Sequence, residues 1–180
     1  EGDAIVKAGE WSKRYAFAPG DMTTKTLGIV GLGRIGQGLA RLVQPFDMTV
    51  LAYDKFVSAD AAATVGAELV DIDELLQRSD YVSLHLPLTP ATEGFIDRQR
   101  VSMMKKGAIL VNTCRGGVFE SLDVIADALE SGQLGAVGTD VYPVEPPDVS
   151  HRVFRLANCL CAPHTVGCSV LAMERIFTTM

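Results

Sequence analysis

The 180-residue chain contains no apolar run of about 18 residues, the length a helix needs to cross a bilayer, which excludes a membrane-spanning helix. Its first residues, EGDAIVKAGEW, lack the basic-then-apolar order of a secretory signal, so the expected setting is the cytoplasm. The 16 Lys and Arg gather into no basic stretch against 22 Asp and Glu, and a net charge of −6 argues against nucleic acid or an anionic membrane as partner. Cysteine is sparse: Cys114, Cys159, Cys161 and Cys168 show no disulfide-framework spacing and are expected as small buried apolar groups. The Cys159-x-Cys161 pair is expected to alternate faces of a strand rather than converge on a metal, and no metal centre is predicted. With only three histidines, each can be weighed singly. His151, in the polar VSHRVF, reads as surface; His85, inside SLHLPL, reads as a satisfied core or cofactor-flanking ring; His164, in APHTVG, is open to chemistry.

What is present is an alternation of short β-rich runs and helical stretches, with 48% apolar residues to build a core. Strands are predicted at 26–31, 48–53, 67–70, 81–86, 108–113, 135–140 and 159–162, several of them apolar on both faces as strands covered by helices are. Helices are predicted at 34–46, 71–78 and 121–132, with a short one at 59–63. Asp71 with Glu74 has a capping-box spacing, Ser121 is placed to cap the next helix, and Gly132 to end it. Pro45 is expected to bend or close the first long helix, with Asp47 taking a left-handed position usually held by glycine. Repeated βαβ units give an α/β fold, a doubly wound parallel sheet of the Rossmann dinucleotide-binding type.

A lone GxGxxG is weak, but GLGRIG directly follows an apolar strand and opens a helix. Gly31 permits the tight turn, Gly33 lets backbone approach a pyrophosphate, and Gly36 lets helix and strand pack closely, with the helix N-terminus facing the anion. Arg34 can add charge to the phosphates. Asp54, at the end of the second strand, is placed to bind ribose hydroxyls and repel a 2′-phosphate, which favours NAD over NADP, although Lys55 next door offsets part of that repulsion. An S-adenosylmethionine site would share the strand and acid without needing the third glycine.

In such sheets ligands sit beyond the carboxyl ends of the strands. Hydride transfer to a ketone needs a cation to hold the substrate and polarise its oxygen, plus a proton donor working near neutrality. Arg115, following AILVNT, fits the first need and His164 the second, with Gly116 and Gly117 keeping bulk out of the cleft. Glu145 is a candidate partner for His164, since a neighbouring carboxylate favours the charged imidazole, though as part of EPP it also reads as loop decoration.

The segments TLGIVGLGRIGQGLA, DYVSLHLPLTPATEGFI, MKKGAILVNTCRGG, GTDVYPVEPP and APHTVG, in this order, resemble the NAD-binding domain of the D-isomer specific 2-hydroxyacid dehydrogenase family, nearest its phosphoglycerate, glycerate or glyoxylate type. The resemblance implies NAD-dependent interconversion of a D-2-hydroxy acid and its 2-oxo acid, with Arg115 as substrate-binding arginine, Glu145 as catalytic glutamate and His164 as acid/base. It carries cofactor contacts to Arg34, Ile35, Asp54, Leu86, Thr113, Cys114, Asp140 and the backbone of His164 to Gly167, Asp140 holding the nicotinamide carboxamide. It also implies a homodimer, with Trp11 as a candidate anchor unless that ring is packed in the core. A crossover segment is expected at 1–25, the NAD-binding domain at 26–168, and the start of a C-terminal crossover helix at 169–180. The substrate domain of the family is not among these residues, so little turnover is expected from this chain alone. The family also includes an NAD-responsive corepressor that binds protein partners, which is the alternative reading.

Overall fold

The computed structural model describes residues 2–15, 21–165, 167–169 and 172. Among the described residues seven strands form one sheet: β1 (Thr26–Val30), β2 (Thr49–Tyr53), β3 (Glu68–Leu69), β4 (Tyr81–Leu84), β5 (Ala108–Asn112), β6 (Leu134–Thr139) and β7 (Cys159–Cys161). Their spatial order is β3-β2-β1-β4-β5-β6-β7 and every neighbouring pair is parallel. The order reverses between β1 and β4, and such a switch point opens a crevice at the carboxyl ends of the strands.

Among the described residues the α-helices that accompany the strands are α1 (Gly2–Lys7), α2 (Arg34–Val43), α3 (Ala59–Ala63), α4 (Ile72–Arg78), α5 (Arg98–Met103) and α6 (Leu122–Glu130). The period-two alternation of β1 sends Leu27 and Ile29 into one apolar cluster with Ala40 and Val43 of α2. Val30 joins a second cluster with Leu75 and Leu76 of α4, Leu110 of β5 and Ile125 of α6. Gly28 belongs to that second face, where a Cβ would stand 2.4 Å from Leu75 Cδ2, so α4 lies directly on β1. Leu110 and Leu75 are fully buried, and each such side chain stabilises the fold by about 1.5–3 kcal/mol.

Helix ends follow local chemistry. Pro45 sits in a 3-10 turn, Gln44–Phe46, that closes α2, and Asp47 takes φ 52° with its amide donating to Gln44 O. Ser121 Oγ accepts from Val124 N at 3.2 Å to start α6, and Gly132 at φ +71° follows its end. The capping box at Asp71 does not form: Asp71 begins α4 through its backbone alone, and Glu74 turns forward to pair with Arg78 instead of reaching back. α5 has no counterpart in the sequence reading; Asp97 caps it by accepting from Arg100 N at 2.7 Å. The 67–70 run shortens to β3.

The amino-terminal α1 and the following 3-10 turn, Trp11–Tyr15, bury none of their residues. Trp11 is 62% exposed, which overturns a core role for it; the Arg14 guanidinium lies over the Trp11 and Tyr15 rings. Most of the helix expected at 169–180 lies outside the described residues; Ser169 Oγ accepts from Ala172 N at 3.1 Å.

Candidate active site and cofactor cleft

The loop leaving β1 turns at Gly31, whose φ of +98° suits glycine and where a Cβ would meet His85 O at 2.7 Å. A Cβ on Gly36 would sit 2.2 Å from Gly31 O, so the first turn of α2 packs on the strand only without a side chain there. Gly33 differs: its Cβ direction is open space, and no side chain caps α2, which leaves the helix amides directed at the crevice. A pyrophosphate fits that description, being anionic and needing close backbone approach. Arg34 and Ile35 stand exposed at the same helix start.

Asp54 follows β2. Its Oδ2 accepts from Leu32 N at 2.8 Å and its Oδ1 from Phe56 N at 2.8 Å and Val57 N at 3.2 Å. The carboxylate therefore fixes the glycine loop as well as facing a cavity of about 300 Å³ lined by Gly31, Gly33, Tyr53, His85, Leu86 and Phe95 among others. A second cavity of about 490 Å³ shares Gly33, His85 and Leu86 and continues to Arg34, Ile35, Gly36, Thr113, Cys114 and Arg115. Together they make a trough from the β2 end to the β5 end. His85 flanks it, its Nε2 2.9 Å from Ser83 Oγ, and burial pushes its pKa down, so the ring is neutral in physiological conditions.

Arg115 is delivered by a turn that a buried asparagine shapes. Asn112, fully buried at the end of β5, donates from Nδ2 to Arg115 O at 3.0 Å and accepts Cys114 N at 3.0 Å. The sequence signal for this task is a polar residue closing an otherwise apolar strand. The Arg115 side chain is exposed, Nη1 donating to Cys114 O at 2.6 Å, and among the described residues no carboxylate lies within ion-pair distance. Gly116 and Gly117, expected to keep bulk out of the cleft, both line the hollow described below and are also closely packed. A Cβ on Gly116 would fall 1.9 Å from the Tyr142 carbonyl carbon, so backbone packing requires glycine there, whereas one on Gly117 would meet only the exposed Leu88 side chain, at 3.0 Å.

His164 and Glu145 meet: Nδ1 and Oε2 are 2.7 Å apart. Glu145 Oε1 also accepts from Tyr142 N at 3.0 Å. The His164 hydrogen bond, and after it the Tyr142 amide, hold the Glu145 carboxyl below the usual carboxylate range, so it is ionised and Nδ1 carries the shared proton. Nε2 is then the ring nitrogen left to exchange a proton with a ligand. His164 adopts φ 56° on a turn tied down by Thr165 N, which donates to Asp140 Oδ1 at 2.9 Å. A hollow of about 240 Å³ is lined by Arg115, Glu145 and His164 together with Leu88, Gly117 and Tyr142. The three candidate catalytic residues thus share one hollow, and Arg115 also borders the trough. Asp140 is buried under the His164 turn and Gly167 is exposed; neither lines these cavities.

The cysteines depart from expectation. Residues two apart on a strand share a face, so Cys159 and Cys161 bring their sulfurs to 3.7 Å. None of the four is fully buried: Cys161 and Cys168 are exposed, Cys114 and Cys159 half-buried. Among the described residues no group of three or more His, Cys, Asp or Glu is arranged to hold a metal ion. His151 is remote from the hollow, accepting Val153 N on Nδ1 at 3.2 Å and facing Asp123 with Nε2.

The family model described as "D-isomer specific 2-hydroxyacid dehydrogenase, NAD binding domain" matches residues 1–166. D-3-phosphoglycerate dehydrogenase of Mycobacterium leprae is 41% identical over 178 residues, 99% of this chain and 33% of that protein. Glyoxylate reductase of Thermococcus litoralis is 40% identical over 170 residues, 91% of this chain and 51% of that protein. The crystal structure of a D-lactate dehydrogenase from Aquifex aeolicus complexed with NAD and lactic acid superposes with a TM-score of 0.89 at 31% identity, covering 98% of this chain and 57% of that one. The chain therefore spans about a third of the curated phosphoglycerate dehydrogenase and about half of the other two proteins. With the glycine loop, the parallel sheet and the family match in agreement, the chain belongs to the D-isomer specific 2-hydroxyacid dehydrogenase family, of which it is an NAD-binding domain.

Proposed function

We propose that this chain carries the cofactor site and the reacting groups of an enzyme that interconverts a D-2-hydroxy acid and its 2-oxo acid. The observation that carries the reading is the hollow in which the His164–Glu145 contact of 2.7 Å stands with Arg115, adjoining the glycine-loop trough. Bound NAD(H) supplies or accepts the hydride. The amides opening α2 and the open face of Gly33 receive the pyrophosphate, and Asp54 the adenosine ribose. Arg115 binds the substrate carboxylate and polarises the neighbouring carbonyl, a role for which a planar guanidinium with paired donors is suited. In reduction, His164 Nε2 gives its proton to the carbonyl oxygen as negative charge develops there; in oxidation it takes the proton back. Glu145 keeps the ring in the tautomer that presents Nε2 and stabilises the imidazolium. The exposed Val6, Trp11 and Tyr15 support pairing of two copies through the amino-terminal segment, a homodimer that light scattering registers.

The reading includes a second wall over the hollow. The His164 side chain is 49% exposed here, whereas hydride transfer needs reacting atoms held in near-attack geometry away from water. The test is NADH oxidation, by the whole protein and by the 180-residue chain, across glyoxylate, pyruvate and 3-phosphohydroxypyruvate. The whole protein is expected to reduce at least one to its D-2-hydroxy acid, and the chain alone to be at least roughly a hundredfold slower. A whole protein that binds NADH yet reduces none of a wide 2-oxo acid panel overturns the reading.

A further inference from the structure

Tyr142 lies in the turn after β6 and has been given no part in the chemistry above. It is buried, its ring packed on Phe154 with centroids 5.6 Å apart. Three of its groups reach the three chain segments that carry Arg115, Glu145 and His164. The hydroxyl donates to Ala162 O at 2.9 Å, two residues before His164. The amide donates to Glu145 Oε1 at 3.0 Å. The carbonyl carbon occupies the place where a Cβ on Gly116 would fall, at 1.9 Å, and Gly116 immediately follows Arg115. One residue is therefore in register with the arginine turn, the glutamate and the strand that delivers the histidine.

We propose that Tyr142 is a positioning residue: its hydroxyl holds the carboxyl end of β7 so that His164 stays on Glu145 opposite Arg115. This rests on the dehydrogenase reading for its meaning, but the geometry stands without it. Glu145 meets His164 across 19 residues of sequence, on an exposed turn, and a contact of that kind persists only if both chain segments are fixed. Glu145 is fixed by the Tyr142 amide. The segment before His164 is fixed on one side by Ala162 N donating to Thr139 O at 2.9 Å and on the other by the Tyr142 hydroxyl. Burial first, then the nearby Cys161, pushes the phenol up to about 12, so it remains an uncharged donor wherever the protein is folded at ordinary pH.

The hydroxyl alone is removed by Tyr142→Phe, which leaves the ring on Phe154 and the backbone amide on Glu145. The readout is the carboxyl titration of Glu145 by carbon-13 NMR in the 180-residue chain, with unchanged amide spectra elsewhere as the check on folding. Glu145 faces His164 and, further off, Asp140, whose charge opposes its ionisation. Loss of the hydroxyl frees His164, so the Glu145 midpoint rises toward the ordinary glutamate value; NADH affinity stays within twofold, and in the whole protein kcat falls at least tenfold. An unmoved Glu145 titration, even with a lower melting temperature, makes the hydroxyl merely structural and overturns the proposal. A moved titration in a whole protein inert toward every 2-oxo acid supports the positioning role and removes the dehydrogenase reading instead.

Discussion

Both oxygens of Asp54 accept backbone amides, from Leu32 on one side and from Phe56 and Val57 on the other. The acid is thereby held in place: in the cofactor mode proposed above, a 2′-phosphate would have to displace or repel a charge that cannot turn away. Asp54→Ala removes a charged acceptor and loosens the loop, so NADH affinity is expected to fall roughly tenfold to a hundredfold, the range for a charge-assisted hydrogen bond of about 1.5–3 kcal/mol. NADPH affinity should change little or improve, and fluorescence titration of both reduced cofactors reads the difference. The residue scale is also where sequence reading was most uneven. The turn at Gly31 and the close packing at Gly36 were legible because their tasks are local and their spacing is imposed by one strand, one turn and one helix. Glu145 was legible as a possible partner of His164 but not separable from a loop residue, since their contact depends on how β6 and β7 lie side by side and on the Tyr142 amide. The cysteine pair was misread against the period of two that governs every strand.

At the scale of elements, the turn Arg152–Arg155 is clasped to α6 by charge. Arg152 reaches Asp123 at 3.2 Å, Glu130 at 2.5 Å and also Asp127, which Arg98 of α5 approaches at 2.6 Å. The hydrogen bonds from Arg152 and then Arg98 hold the Asp127 carboxyl below the usual range. A carboxyl lowered by folding stabilises above its unfolded pKa and loses that contribution as pH falls through its folded value. Asp127→Asn should therefore lower the melting temperature at pH 7, with the deficit shrinking as pH falls through the carboxyl's folded value; calorimetry across an acid pH series reads it, and a deficit that stays constant would assign the effect to packing. None of this clasp was visible beforehand, because 25 residues separate Arg152 from Asp127. α5 escaped for another reason: six residues are too few to show helical periodicity, and only Asp97 announces it. The longer βαβ elements were readable because two-faced burial leaves continuous apolar runs such as AILVN, whereas the capping box at Asp71 failed because Glu74 had a better partner in Arg78.

For the whole molecule, a parallel sheet that reverses order between β1 and β4 sends the glycine loop and the β5, β6 and β7 ends to one edge. That edge carries, in sequence, the glycine-loop trough and the hollow that holds Glu145 and His164, with Arg115 lining both. The central claim is that Arg115 serves the substrate and not the cofactor. Its most direct test is calorimetric titration of the NADH-loaded whole protein with its preferred 2-oxo acid, comparing the parent with Arg115→Ala. The account predicts that the variant keeps NADH affinity within about twofold while 2-oxo acid affinity falls at least roughly a hundredfold, as loss of a bidentate charged contact implies. Equal losses for NADH and for the acid would contradict it.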